Sequence, residues 1–180
     1  MPRRGGLKMA EQEEIPVKAP PEGMDLDGLD EILGVHVSLA YVTVLQHFNR
    51  SLAHLGLTPK QTSTLWLAAA NPGIPQVDIA RFFRMDRATM LGITNSLTEQ
   101  GLLDRGPSIR SGRTIGLHIT PAGAAKLAAA RAAVARHEHW VKSALSPREV
   151  DQLFDLLKKF NGPREAELAD ADAGALELLG

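Results

Sequence analysis

The 180-residue sequence contains no cysteine, and this absence removes three kinds of chemistry. A disulfide scaffold, a zinc site built from thiolates and a cysteine nucleophile are all excluded. Mean hydropathy is −0.10, and no apolar run is long enough to span a membrane. The basic N-terminal residues, MPRRGGLKMAEQEE, lack the apolar stretch of a signal peptide. We therefore expect a cytoplasmic protein with no membrane partner.

Familiar catalytic patterns are also missing from the sequence. It has no nucleophile elbow, no phosphate-binding loop and no His-Glu-x-x-His motif. Metal ligands on one helix favour a spacing of four residues, and no two histidines are four apart. We therefore expect neither an enzyme nor a bound cofactor nor a metal.

Charge is unevenly distributed along a chain whose net charge is only −1. Residues 163–180 form an acidic tail, whereas the proline- and glycine-containing residues 1–26 are predicted to form a flexible arm. A positive stretch between them contains only three acids but six arginines, which are Arg81, Arg84, Arg87, Arg105, Arg110 and Arg113. This stretch is either a solvated face or a nucleic-acid surface.

Helical patterns dominate the first part of the chain. A long helix is predicted over 27–56, and a second begins at the cap Thr58 and ends at 71–73. A short helix follows over 75–85, and Asp86 caps another over 87–100, which Gly101 closes. The residues expected to point inward from these two helices are Val77, Ala80, Phe83, Met90, Ile93 and Leu97.

A β-hairpin follows this helix pair directly. One strand begins at Leu102, an arginine-rich turn spans 106–113, and the return strand covers 114–120. Two further helices are predicted over 120–145 and 146–161, with Thr120 and Ser146 as their N-caps. This order predicts a mainly α fold with a small β-hairpin wing. We expect a winged helix-turn-helix lobe at 57–120 and a helical dimerisation layer formed by 27–56 and 121–162.

The helix over 87–100 is expected to present its N-terminal turn to the major groove of DNA. Arginine can bond guanine O6 and N7, and asparagine can pair with adenine. Glycine costs stability inside a helix, so Gly92 indicates either close approach to DNA or neutral drift. Wing arginines suit phosphates or a narrow minor groove. The predicted DNA-binding residues are Gln76, Arg84, Arg87, Ala88, Thr89, Gly92, Asn95, Arg105, Arg110 and Arg113.

Five segments together resemble the multiple antibiotic resistance regulator (MarR) family of transcription factors. They are GLTPKQ at 56–61, DIARFFRMDRAT at 78–89, GLLDR at 101–105, SGR at 111–113 and HITPAG at 118–123. The resemblance implies an obligate homodimer that binds a palindromic operator. It also implies a small ligand, often an aromatic acid, that binds where the dimerisation layer meets the winged lobe and weakens DNA binding. The chain departs from the family at Ser111, where an aspartate is usual, and at Thr62, where an aromatic residue is common.

A polar stripe on the first helix is the candidate ligand site. At about 100° per residue, its other members fall within roughly 40° of His36. With an aromatic residue of the next helix, the predicted site comprises His36, Thr43, His47, Arg50 and Trp66. The stripe alternatively forms a metal site, as in zinc-sensing relatives, or a solvated or dimer-facing edge.

The sequence therefore predicts a ligand-responsive, dimeric regulator, with repression favoured over activation. An aromatic carboxylate is the first hypothesis for the inducer. The alternative is an aromatic acyl-CoA thioester, whose phosphates could meet Arg3, Arg4 and Lys8 of the arm. A further alternative is a winged-helix protein-interaction module without an inducer.

Overall fold

The structure, a computed structural model, describes residues 21–110 and 115–162. Within these ranges, six α-helices and a three-stranded antiparallel sheet confirm the predicted fold class. The helices are α1 (Leu33–Leu52), α2 (Pro59–Ala70), α3 (Gln76–Phe82), α4 (Arg87–Glu99), α5 (Pro121–Lys142) and α6 (Pro147–Phe160). The strands are β1 (Ile74–Pro75), β2 (Leu103–Pro107) and β3 (Ile115–Ile119). None of the described helices is long and apolar enough to cross a membrane.

The chain divides into two compact units, which meet in the sequence between Gln46 and His47. In the first unit, a 3-10 turn over Leu29–Glu31 precedes α1. The continuous helix predicted from residue 27 is therefore wrong at its start. Asp27 (φ 47°) and Gly28 (φ 84°) are left-handed, and a right-handed helix cannot pass through such residues.

The second unit begins within α1 and contains the winged helix-turn-helix elements. The α-helical part of this stretch ends at Leu52, and a 3-10 turn over Ala53–Leu55 continues it to Gly56 (φ 61°). The stretch therefore ends at Gly56, as predicted, although its last turn is not α-helical. The caps of the later helices are confirmed. Thr58 and Ser146 form capping boxes with Gln61 and Glu149, each through reciprocal hydrogen bonds.

The hydrophobic core of this unit lies where α2, α3, α4 and the sheet meet. Its fully buried large apolar side chains are Leu52, Leu65, Ile79, Met90, Leu97, Leu103 and Leu117. Val77 was expected to point inward but is 40 % exposed, whereas Ile79 is fully buried. Since α3 has only seven residues and packs against both α4 and the sheet, its neighbours decide which face is inward.

The sheet has the strand order β1-β3-β2. The predicted hairpin pairs β2 with β3 from Leu103 opposite Ile119 to Pro107 opposite Ile115. Strand β1 was not predicted, because two residues are too few to show the alternation typical of a strand. It can approach β3 because Gly116 has no side chain; a Cβ there would overlap the backbone of Gly73. The sheet thus joins the wing directly to the start of α3.

Candidate nucleic-acid interface and ligand site

The start of α4 is fixed by its cap. The Thr89 hydroxyl donates to Asp86 Oδ2 at 2.6 Å, and the Thr89 amide donates to Asp86 Oδ1 at 2.8 Å. These two hydrogen bonds hold the pKa of Asp86 below its usual value. Thr89, predicted to contact DNA, therefore also helps to hold the first turn in place. Arg87 and Ala88, in the same turn, are exposed.

One face of α4 points away from the core. Ala88, Leu91, Gly92 and Asn95 lie on this face, opposite the buried Met90. Apart from the adjacent residues and backbone of α4 itself, no described atom lies within 4 Å of the position that a Cβ of Gly92 would take. Leu91, absent from the predicted contacts, is 46 % exposed there. An apolar side chain on a recognition helix can contact the methyl group of thymine, so the exposure of Leu91 makes it a further candidate contact.

The wing contacts this helix through a predicted pair of DNA-binding residues. Arg105 of β2 donates from Nη2 to Asn95 Oδ1 at 2.5 Å. This bond crosses from the sheet to α4, two elements that also pack against each other. The two side chains form one polar group at the surface.

A second wing arginine is bound to α3. The Arg110 guanidinium lies 3.0 Å from Asp78 Oδ2, and the Arg81 guanidinium lies 3.7 Å from Asp78 Oδ1. The Ile109 amide donates to the carbonyl of Gly73 at 3.0 Å. These contacts fix the start of the wing turn against the helix-turn-helix. Ser111 and Arg113, like the arm through residue 20 and the acidic tail, lie outside the described residues.

Two other predicted contacts have partners within the chain. Gln76 Oε1 accepts a hydrogen bond from the buried Thr94 hydroxyl at 3.0 Å and so links α3 to α4. Arg84, which has a left-handed backbone (φ 50°), donates from Nη2 to the carbonyl of Asn161 at 3.0 Å. Asn161 is the C-cap of α6, where a positive charge is favourable. Arg84 thus joins the turn before α4 to the end of α6.

Two predicted ligand-site residues in the first unit bond to nearby backbone. His36 Nε2 lies 2.6 Å from the carbonyl oxygen of Asp30. The Thr43 hydroxyl donates to the carbonyl of Leu39 at 2.9 Å. Both contacts are local, and the role of these residues in ligand binding stays a prediction.

His47 belongs to an aromatic cluster in the second unit. Its Nδ1 lies 2.8 Å from Nδ1 of His137, and its ring stacks on Trp140 with centroids 3.8 Å apart. Burial lowers the pKa of both histidines; the charge of Arg50 adds to the effect at His47, and the neighbouring His47 adds to it at His137. The sequence did not reveal His137 and Trp140 as partners because they lie about ninety residues away in the chain.

Trp66 is paired with a cation. The Arg131 guanidinium of α5 lies 4.6 Å from the centroid of the Trp66 ring, a geometry typical of a cation–π contact. Arg131 is a candidate site residue that the sequence did not reveal. Among the described residues, no three His, Asp or Glu side chains are grouped closely enough to hold a metal ion.

The comparisons with known proteins agree on one family. A model of the MarR family matches residues 55–114. A Thauera aromatica protein, described as a candidate transcriptional regulatory protein for the hcr operon, is 33 % identical over 128 residues, which are 71 % of this chain and 77 % of that protein. The transcriptional repressor CouR bound to a 23-mer DNA duplex is similar with a TM-score of 0.71 and 33 % identity, covering 76 % of this chain and 97 % of that one. CouR bound to p-coumaroyl-CoA has a TM-score of 0.71 and 31 % identity, covering 78 % and 99 %. On this similarity, together with its winged helix-turn-helix, the chain belongs to the MarR family of transcriptional regulators.

Proposed function

We propose that this protein is a homodimeric repressor that binds a palindromic operator and is released by an aromatic acyl-CoA thioester. The observation that carries DNA binding is the outward face of α4, which is bonded to the wing through Arg105 and Asn95. A helix of this kind fits the major groove, and wing arginines suit the backbone or the minor groove. The DNA-bound structure of CouR, 33 % identical, supports the same use of this fold.

Exposed apolar side chains support a homodimer. In the second unit, every residue of α6 from 151 to 160 is exposed, including Leu153, Leu156 and Leu157 on one face. In the first unit, Leu33, Val37 and Tyr41 of α1 are also exposed. A second copy of the chain would cover such faces symmetrically and place two recognition helices about one DNA turn apart.

The thioester now takes precedence over the free aromatic carboxylate as the proposed inducer. CouR is 31 % identical to this chain and has been solved with p-coumaroyl-CoA. The Trp66 ring and the Arg131 guanidinium supply an aromatic face and a cation, which suit an aromatic acyl group and an anion. Arg50, which the sequence also predicts as a ligand contact, is retained as part of the proposed site.

Release of DNA by defined compounds tests this function. An operator is first selected from random-sequence duplexes, and its affinity is then measured by fluorescence anisotropy at several salt concentrations. We expect a steep salt dependence, which a protein-interaction module would not show. We expect p-coumaroyl-CoA to weaken operator binding by about 5- to 150-fold, the usual range of allosteric coupling, while p-coumarate and CoA alone do not.

Matched variants then locate the inducer response. Arg131→Ala is expected to reduce the response to p-coumaroyl-CoA while keeping operator affinity in its absence. Arg136→Ala removes another exposed arginine of the same helix and serves as the control. Arg50→Ala tests the stripe in the same assay. Release by p-coumarate alone would restore the carboxylate hypothesis, and no release by any aromatic acid or thioester would reject an aromatic inducer.

A further inference from the structure

We propose that Arg105 and Asn95 act as one base-reading unit that selects guanine, rather than adenine, at the operator base pair they face. The inference rests on the proposed DNA-binding function and adds which base the protein prefers. Its structural basis is the 2.5 Å hydrogen bond from Arg105 Nη2 to Asn95 Oδ1.

The chemistry of this bond fixes the orientation of the asparagine amide. A guanidinium has five N–H donors and no acceptor, so only the oxygen of the amide can face it. The amide nitrogen of Asn95 must then point the other way, with its two N–H groups. The position of the oxygen thus follows from its partner and not from a free choice between two similar atoms.

This orientation disfavours adenine. An asparagine that reads adenine accepts a hydrogen bond from the N6 amino group and donates one to N7. Here the accepting oxygen already lies against the Arg105 cation. An adenine amino group brought to the same oxygen would place a second donor beside the guanidinium, so the two positively polarised groups would repel each other.

Guanine fits the same unit well. Its major-groove edge presents two acceptors, N7 and O6, and no donor. The N–H groups of the Asn95 amide and the remaining N–H groups of Arg105 are all donors and can satisfy both acceptors together. The bond between the two side chains also limits their rotation before DNA arrives, which reduces the entropy lost on binding.

The two wing arginines in the described part of the chain differ in whether a carboxylate is paired with them. Arg110 forms an ion pair with Asp78 at 3.0 Å. Arg105 instead bonds a neutral amide, and among the described residues no carboxylate forms an ion pair with it. Its full positive charge therefore remains available to attract the electron-rich edge of guanine.

The test compares base preferences, which a merely structural role would not change. Operators are selected from random-sequence duplexes by the parent protein and by Arg105→Met, which has a long side chain without donors. Affinities for every single-base-pair substitution in the selected operator are then measured. In the parent we expect one guanine in each half-site to be preferred over adenine by about 5- to 150-fold, the discrimination of one bidentate contact.

In Arg105→Met we expect the preference at that position to move from guanine to adenine, because the Asn95 oxygen is released. Asn95→Ala should reduce the preference for guanine without creating one for adenine. Arg148→Met, which changes an exposed arginine of α6, is the control and should leave every base preference unchanged.

A preference for adenine at this position in the parent would overturn the inference. So would an equal loss of affinity for all sequences in Arg105→Met, which would make Arg105 a phosphate contact only. A parent protein that selects no sequence at all would refute operator binding itself, and the inference with it. If the parent selects an operator that has no preferred guanine in its half-sites, operator binding stands and only the base-reading unit is refuted.

Discussion

Replacing Leu156 by glutamate should dissociate the proposed dimer. Leu156 is 64 % exposed in the single chain and lies on one face of α6 with Leu153 and Leu157. The spacing of three and four residues places these side chains in one stripe. If a second copy covers this stripe, a carboxylate at position 156 must enter an apolar interface.

The magnitude follows from the exposed fraction. Burying a whole leucine side chain contributes about 1.5–3 kcal/mol. Covering the exposed two thirds of Leu156 therefore contributes about 1–2 kcal/mol. Because each residue of a two-fold interface occurs twice, the dimer loses about 2–4 kcal/mol, which raises its dissociation constant by about 30- to 700-fold. Desolvation of the two carboxylates increases this loss.

Sedimentation velocity over a concentration series measures the monomer–dimer equilibrium directly. The control is Lys158→Glu, which introduces the same carboxylate on the opposite, polar face of α6 and should leave the equilibrium nearly unchanged. Circular dichroism serves to check that both variants keep their helices. A dissociation constant for Leu156→Glu within threefold of the parent value would refute the assignment of this face to the dimer interface.

Three further predictions concern stability and pH. Because the pKa values of His47 and His137 are lowered, their contribution to the free energy of unfolding should be complete above about pH 6.5 and decrease as the pH falls below it. Denaturant titrations at several pH values should show a smaller pH dependence of the free energy of unfolding in His137→Gln than in the parent. An equal pH dependence in both proteins would contradict the assignment to these histidines. Thr120→Ala should destabilise the protein by about 1–2 kcal/mol, since Thr120 caps α5 and its hydroxyl donates to the carbonyl of Gly101 at 2.7 Å. Thr120→Ser should keep most of the parent's stability. Equal losses of stability in both variants would argue against the cap. Arg84→Gly should be more stable than Arg84→Ala by about 1 kcal/mol in thermal or chemical unfolding. Both variants lose the hydrogen bond to Asn161, but only glycine adopts the positive φ at this position without strain. The reverse order of stability would show that the backbone at position 84 relaxes.

Short-range signals predicted most of the helix boundaries. Thr58, Asp86, Thr120 and Ser146 were predicted as N-caps from their own positions and neighbours, and the structure confirms all four. Gly101 has the left-handed backbone expected after α4. These features depend on atoms within about one helical turn, so the local sequence determines them.

The order of elements and the arginine-rich wing were equally accessible from the sequence. They identified the winged helix-turn-helix and the family, because each element leaves its own local pattern of caps, turns and apolar spacing. The identities of Asn95 and Arg105 as candidate contacts came from the same reasoning. Their bond to each other did not, since nothing in the spacing of ten residues between a helix and a strand predicts that two side chains meet.

The partners of side chains that lie far apart in the chain depend on the tertiary structure. Arg84 and Asn161 are 77 residues apart, and His47 and His137 are 90 apart. Strand β1 forms only because β3 is present beside it, and the inward face of α3 depends on its neighbours. Local caps and turns determine where most of the helices begin and end, but burial, pairing and pKa depend on which elements the fold brings together.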